Sequence, residues 1–245
     1  MYEYHIQVGI AQVGPDNRLK PGSAVDLLQN GSFFEMNTNP WLMDYFAEKR
    51  LGCFIVSRQL DIHRMPSYGE HLTVRVWVYS VEKFWGHRNT MLYDERGEVC
   101  IASSTMGSFV SLETGRPARL SQEVLDRYPT EPPYPVEVLP RRIKLPDAAP
   151  EPLEPVRVAN SHIDCYGHMN NARYVDLAAN CLPPAPDIRR LRVEYKRAAK
   201  LGERITPVLY RAGDISTVSL EVDGAPAAVV EFLLSAEQPR QNISI

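Results

Sequence analysis

Between Ser161 and Tyr174 the chain reads Ser-His-Ile-Asp-Cys-Tyr-Gly-His-Met-Asn-Asn-Ala-Arg-Tyr. Asp164 and His168 put a carboxylate and an imidazole four residues apart, a base and an acid within one loop. Downstream, Val175, Ala178, Ala179 and Leu182 fall at i, i+3, i+4 and i+7, so a helix should follow with one face in a core. Asn170 or Asn171 can cap its start. Open backbone N–H groups near Met169 and Asn170, with the positive end of the helix dipole, would then polarise a carbonyl oxygen. A carboxylate and an imidazole beside such a donor set are the parts that attack on a thioester carbonyl requires. Tyr166 adds a phenol that can donate a hydrogen bond.

The same residues admit plainer readings. Asp164 and His168 could only stitch the loop to the helix, because Asp and Asn favour such turns for local reasons. Cys165 invites a Cys-His nucleophile, but adjacent loop residues point in different directions. His162 and Asp164 lack a third ligand at metal-binding spacing, so no metal is expected. Structural or surface roles are expected for His5, His63, His71 and His87.

The elements that must carry this loop recur in two rounds. Tyr4 to Gln12 alternates as a strand, and Ser23 is read as the cap of a helix running to about Met36. Asn39 and Pro40 open a second helix that Gly52 is expected to close, with Leu42, Tyr45 and Phe46 on one face. Cys53 to His63, Leu72 to Val81, Trp85 to Tyr93 and Val99 to Leu112 are rich in β-branched and aromatic residues and read as strands. Leu120 to Tyr128 has helical spacing.

Prolines then crowd the chain at 129, 132, 133, 135, 140, 146, 150, 152 and 155, favouring extended backbone. Residues 129–155 are read as a linker between an N-terminal domain, 1–128, and a C-terminal domain, 156–245. Beyond it come a strand from Val156 to Asn160, a helix from Asn170 to Cys181, and strands near Leu191 to Lys196, Ile205 to Arg211, Thr217 to Val222 and Ala227 to Leu234. Tyr68-Gly69-Glu70-His71-Leu72-Thr73 is echoed 133 residues later by Leu201-Gly202-Glu203-Arg204-Ile205-Thr206. With the shared order of elements, the echo points to duplication. A helix followed by consecutive strands predicts an α+β fold in which each of two tandem antiparallel sheets wraps a central helix.

Composition narrows the classes. A chain of 245 residues with 44% hydrophobic residues can build two cores. No apolar run nears the ~20 residues of a membrane span, and Met1 to Gly9 lacks a signal-peptide pattern, so a cytoplasmic protein is expected. The four cysteines, at 53, 100, 165 and 181, show neither a CxxC pair nor zinc spacing. A net charge of -3 gives no support for nucleic-acid binding. Basic clusters at Arg141, Arg142 and Lys144, at Arg189, Arg190 and Arg192, and at Lys196, Arg197 and Lys200 could meet an acidic partner.

At this point the sequence resembles the acyl-acyl carrier protein (acyl-ACP) thioesterases, double hotdog proteins whose second hotdog carries Asp-x-Asn-x-His-x-Asn-Asn before its central helix. Asp164, His168, Asn170 and Asn171 match that motif in register. The Ser23 to Met36 helix, the Arg64 to Glu70 turn and the Tyr93 to Gly97 hairpin look like the family's acyl-binding half. Two positions differ. Tyr166 stands where the family has Asn, and Ala198 and Ala199 stand where it places a Glu or Cys after a strand tyrosine. Glu194 is four strand residues away, about 13 Å of rise.

The resemblance implies hydrolysis of a fatty acyl thioester on acyl carrier protein, with no cofactor and with the phosphopantetheine arm of the carrier as partner. Asp164 would be base or nucleophile, His168 would orient or protonate the reacting groups, and Tyr166 could donate to the carbonyl or sulfur. Met169, Asn170 and Asn171 would form the substrate-side helix start. Part of the aromatic stock, Phe33, Phe34, Trp41, Tyr45, Phe46, Trp77 and Trp85, would line an acyl tunnel. Rival readings are an acyl-CoA thioesterase, a hotdog dehydratase and a non-catalytic acyl or carrier-binding module. Paired hotdogs allow a functional monomer and leave room for a homodimer.

Overall fold

The computed structural model of the chain describes residues 1–235; the expected end of the second domain, at Ile245, lies outside them. The N-terminal half opens with β1 (Tyr2–Gln7), α1 (Pro21–Asn37) and α2 (Pro40–Glu48). It continues with β2 (Leu51–Ile62), β3 (His71–Val81), β4 (Trp85–Tyr93), β5 (Val99–Ser111) and α3 (Gln122–Arg127). After a proline-rich segment come β6 (Glu151–Pro152), β7 (Val156–Arg157), α4 (Asn171–Ala179), β8 (Ile188–Tyr195), β9 (Arg204–Ala212), β10 (Ile215–Val222) and β11 (Ala225–Leu234).

Ten of the strands form one antiparallel sheet in the order β1-β3-β4-β5-β2-β8-β11-β10-β9-β6, with β7 also on β9. β2 and β8 join the halves, Leu60 facing Leu191, so two hotdog sheets become one. α1 and α4 pack against each other on the same side of the sheet, over a core that includes Leu28, Leu60, Leu92, Val175, Leu191 and Val230. Gly22 is a point of close approach: a Cβ there would lie 1.9 Å from the Asp176 carboxylate.

Hydrogen bonds reveal the duplication in detail. Arg64 ion-pairs with Glu70 as Arg197 does with Glu203. Val8 N–H donates to Glu70 O and Val158 N–H to Glu203 O, each at 2.9 and 2.8 Å respectively. Leu19 N–H donates to Pro66 O and Met169 N–H to Ala199 O. Two spacings relate the halves, 133 residues at the turns and 150 at the loops before α1 and α4.

Several local expectations are corrected. α1 starts two residues before Ser23, because Pro21 takes the first turn with its fixed φ, and Lys20 occupies the cap position. Asn39 does not cap α2 through its side chain; its amide donates back to Glu35 O. Gly52 does not close that helix but lies inside β2, and the turn is made by Arg50 at φ 48°. The strand expected from Val156 to Asn160 shortens to two residues, since Asn160 already begins a 3-10 turn.

The proline-rich segment is a strap over the sheet face opposite the helices. Trp77 Nε1 donates to Pro132 O at 2.9 Å, and Asn89 Oδ1 accepts from Tyr134 N–H at 2.9 Å. Gln59 clamps both Glu137 O (2.8 Å) and Leu139 N–H (3.0 Å), while Arg192 donates to Pro140 O. Strap backbone thus satisfies polar side chains that the sheet buries.

Candidate active site

The loop before α4 is built from local hydrogen bonds. A 3-10 turn at Asn160–His162 is closed by His162, whose Nδ1 accepts from Ala159 N–H. Ile163 and Met169 then bridge, and between them the chain reverses through Gly167 at φ 75°. Asp164 Oδ1 accepts from Tyr166 N–H (2.9 Å) and His168 N–H (3.4 Å), so the carboxylate organises the turn while Oδ2 keeps no partner among the described residues. Asp164 and His168 are half-buried, and Tyr166 is exposed at the tip of the turn.

The helix start differs from the expectation. Met169 N–H is spent on Ala199 O (3.0 Å) and Asn170 N–H on His162 O (2.8 Å), so neither can receive an oxyanion. Asn170 is the cap: its Oδ1 accepts from Ala172 N–H at 2.9 Å, and its carbonyl takes Arg173 N–H. Asn171 N–H is the helix-start donor left without a partner among the described residues. Its carbonyl is held by Tyr195 Oη at 3.1 Å. Met169 itself is a core side chain.

Tyr166 leans across to the N-terminal half, its ring 6.2 Å from Phe33 of α1 and 6.3 Å from Phe54 of β2. It reaches the part of β2 that runs beyond β8, whose pairing begins at Ser57. Partial burial, with the nearby Cys165, Asp164 and Cys53, pushes the Tyr166 phenol above its usual pKa, so it stays a proton donor at neutral pH.

Behind this contact, between α1, α2 and the helix-side face of β2, β4 and β5, lies a narrow apolar pocket of about 60 Å³. Met36, Leu42, Phe46, Cys53, Ile55 and Phe109 line it. One wall is polar: Arg88 bonds Glu35 (2.7 Å) and Ser32 O (2.8 Å). Burial, with Glu35 nearby, raises the neighbouring Tyr128 phenol to about 12. Of the expected tunnel aromatics, Phe46 does line this pocket. Trp77 instead faces the strap, and Phe34 sits exposed against Tyr2 and Tyr4.

Ala198 and Ala199 occupy the positions where the resemblance places an acid. Ala198 is exposed beside the loop, and Ala199 is buried with its N–H on Tyr174 Oη at 2.7 Å. Glu194 points to the strap face, bonded to Ile143 N–H and near Arg141 and Lys196, so it cannot serve the loop. The described residues contain no group of three or more His, Cys, Asp or Glu side chains able to hold a metal, and no helix long and apolar enough to cross a membrane. The bonding of Tyr174 and Tyr195 escaped sequence reasoning, because their partners Ala199 and Asn171 lie 25 and 24 residues away along the chain.

The acyl-ACP thioesterase N-terminal domain family matches residues 1–128, more than half of the chain. Among solved structures, an acyl-ACP thioesterase from Bacteroides thetaiotaomicron superimposes with TM-score 0.86 at 21% identity, covering 96% of this chain and 97% of that one. The 12:0-ACP thioesterase of Umbellularia californica gives 0.81 at 15% identity, with 96% of each chain covered. A structure described as an oleoyl thioesterase from Lactobacillus plantarum gives 0.81 at 21% identity over 95% of both chains. No curated protein sequence matches. A family match over the N-terminal half, on a fold whose two hotdogs share one sheet, settles the membership: the chain belongs to the acyl-ACP thioesterase family.

Proposed function

We propose that this chain hydrolyses the thioester of fatty acyl-acyl carrier protein at the loop from Asp164 to Asn171, giving free fatty acid and carrier thiol. The observation that carries the site is the meeting of the loop with the acyl-pocket half through Tyr166, Phe33 and Phe54. The acyl chain enters the pocket beside Cys53 and Ile55, and the thioester comes to rest at the loop.

In this reading Asp164, held through Oδ1 by two backbone N–H groups, uses Oδ2 to take a proton from water. The water oxygen bonds to the thioester carbon, and the carbonyl oxygen becomes an oxyanion facing Asn171 N–H and the protonated Tyr166 phenol. His168 passes the proton taken from water on to the departing sulfur as the C–S bond breaks and the carbonyl re-forms, which leaves Asp164 ionised, the fatty acid free and the carrier as its thiol. Alanine at 198 removes the family's further acid, so catalysis rests on this smaller set. The pocket of about 60 Å³ holds about two waters' worth of space, so a chain must displace Met36 and Phe46 to enter.

The division into an acyl-binding half, 1–128, a linker, 129–155, and a catalytic half from 156 follows from the same reading. The four unpaired cysteines accord with a reducing, cytoplasmic setting. The test is release of free thiol and fatty acid from acyl-ACP and acyl-CoA panels. Turnover on acyl-ACP that falls at least a hundredfold in Asp164→Ala supports the reading. Folded protein that binds acyl-ACP without releasing acid would assign the chain to carrier binding instead.

A further inference from the structure

The N-terminal half holds a twin of the catalytic loop. In it, Gly14 N–H donates to Arg18 O as Asp164 N–H does to His168 O, and Asn17 N–H donates to Gly14 O as Gly167 N–H does to Asp164 O. Val13 bridges Leu19 where Ile163 bridges Met169, and Asn17 sits at φ 62° where Gly167 sits at 75°. The backbone is conserved between the halves while the chemistry is not. Gly14 stands in place of Asp164, Arg18 in place of His168 and Lys20 in place of the capping Asn170.

Without a carboxylate at 14, and with a guanidinium that stays protonated at 18, this loop cannot activate water. The space in front of it nevertheless persists. A cleft of about 930 Å³ runs from the twin loop to the turn after α4, far larger than the acyl pocket and within the range of small-molecule sites. Its walls carry Arg18, Lys20, His63, Arg64 and Arg189 against the carboxylates Asp16 and Asp187.

The cations are unequally occupied. Arg64 is bound by Glu70 and Asp94, and Lys20 feels Asp176 at longer range. Arg18 and Arg189 make no ion pair among the described residues. Asp16 Oδ1 is turned into its own loop, accepting from Arg18 N–H. A positive cleft in a chain of net charge -3 is a local construction.

We propose that this twin cleft is a non-catalytic binding site for a phosphorylated small molecule, gripped by Arg18 and Arg189 with Lys20 beside them. The planar guanidinium fork matches phosphate oxygens two at a time, and both unpaired arginines line the one cleft. Duplication supplies the shape of a cleft that accepted a substrate arm, and substitution at 14, 18 and 20 turned it from chemistry to anion recognition. The phosphate could arrive on a nucleotide or on a free pantetheine arm.

Isothermal titration calorimetry of the full chain in about 0.1 M salt tests it, with inorganic pyrophosphate, ADP and 4′-phosphopantetheine as separate probes. Saturable one-site binding of pyrophosphate is expected, weakened about tenfold or more in Arg18→Ala/Arg189→Ala and unchanged in Asp164→Ala. That double variant should keep the wild-type kcat on saturating acyl-ACP, so a failure of this site is separable from a failure of the catalytic reading. Tighter binding of ADP or of phosphopantetheine than of pyrophosphate identifies the source. Equal affinity in wild type and double variant, loss in Asp164→Ala alone, or no binding of any probe by the wild type would overturn the proposal.

Discussion

Gly167→Ala isolates the cost of the turn that aims Asp164. A Cβ at Gly167 would meet nothing within 4 Å, so packing contributes no penalty and the backbone alone decides. At φ 75° an L-residue pays roughly 1–2 kcal/mol, offset by roughly 0.4–1 kcal/mol because alanine also restricts the unfolded chain. The net is a loss of roughly 0.8 kcal/mol, within a span of roughly 0 to 1.6, or roughly 2–3 °C in Tm for a chain of this size. Gly167→Asn should lose less, since the twin loop already accommodates Asn17 at φ 62°. Activity should suffer more than stability. The two N–H groups on Asp164 Oδ1 come from Tyr166 and His168, on either side of Gly167, so any relaxation of φ misplaces the carboxylate. A fall of roughly ten- to a hundredfold in kcat is expected for alanine and a smaller one for asparagine. Thermal melts and steady-state thiol release on the three proteins give both readouts. Alanine and asparagine variants that melt and turn over alike would refute the argument, because the left-handed backbone would then not be what holds the loop.

Removing His168 should leave the fold intact and lower kcat by roughly 10²–10⁴, with the fatty acid released by Asp164 chemistry alone; burst-free slow thiol release reads this out. Phe46→Ala should enlarge the apolar pocket of the proposed site and move the preferred substrate toward longer chains, measured as the kcat/KM order across an acyl-ACP series. Gln59→Leu unties Glu137 O and Leu139 N–H from the sheet; because water can reach the strap, the cost is about 1–2 kcal/mol and roughly 2–8 °C in Tm. A pH effect arises where Asp26 and Asp176 share Arg173 between α1 and α4. Burial, outweighing Arg173, raises both carboxyl pKa values. The folded state therefore holds their protons more tightly, so their contribution is greatest in acid and is lost as pH rises from about 4 through the raised values. Asp26→Asn should flatten that part of the stability curve, and melts between pH 4 and 7 that run parallel to wild type would count against it.

Much of the scaffold is legible in the residues. β4 runs from Trp85 to Tyr93 as its composition predicts, and the Gly-Glu echo marks two turns whose hydrogen bonds are the same. The helix after Asn170 follows its apolar spacing, with Val175 and Ala178 buried. What escaped has identifiable causes. The strap has no periodicity, and its anchors are side chains on strands 45 to 80 residues away. The spent N–H groups of Met169 and Asn170 depend on Ala199 and His162, which capping statistics do not foresee. The twin loop is invisible as a motif, because glycine, asparagine, arginine and lysine replace the residues that would reveal it and only its bonding survives.

The two halves have specialised, and the join between them explains how one site draws on both. α1 has 17 residues and, with α2, roofs the apolar pocket; α4 has nine and lines no part of that pocket, but its loop carries the ionisable residues. β2 has 12 residues against eight in β8, and the ladder between them starts at Ser57. The surplus, from Leu51 to Val56, is where Cys53 and Ile55 wall the pocket and Phe54 meets Tyr166. The longer strand of one half thus builds the ledge on which the other half's loop rests. A hotdog from this chain taken alone would have either the pocket without the Asp164 loop or the loop without the pocket. The shared β2–β8 ladder, closed around Leu60 and Leu191, is therefore the element that brings the proposed site's two parts together in a single chain.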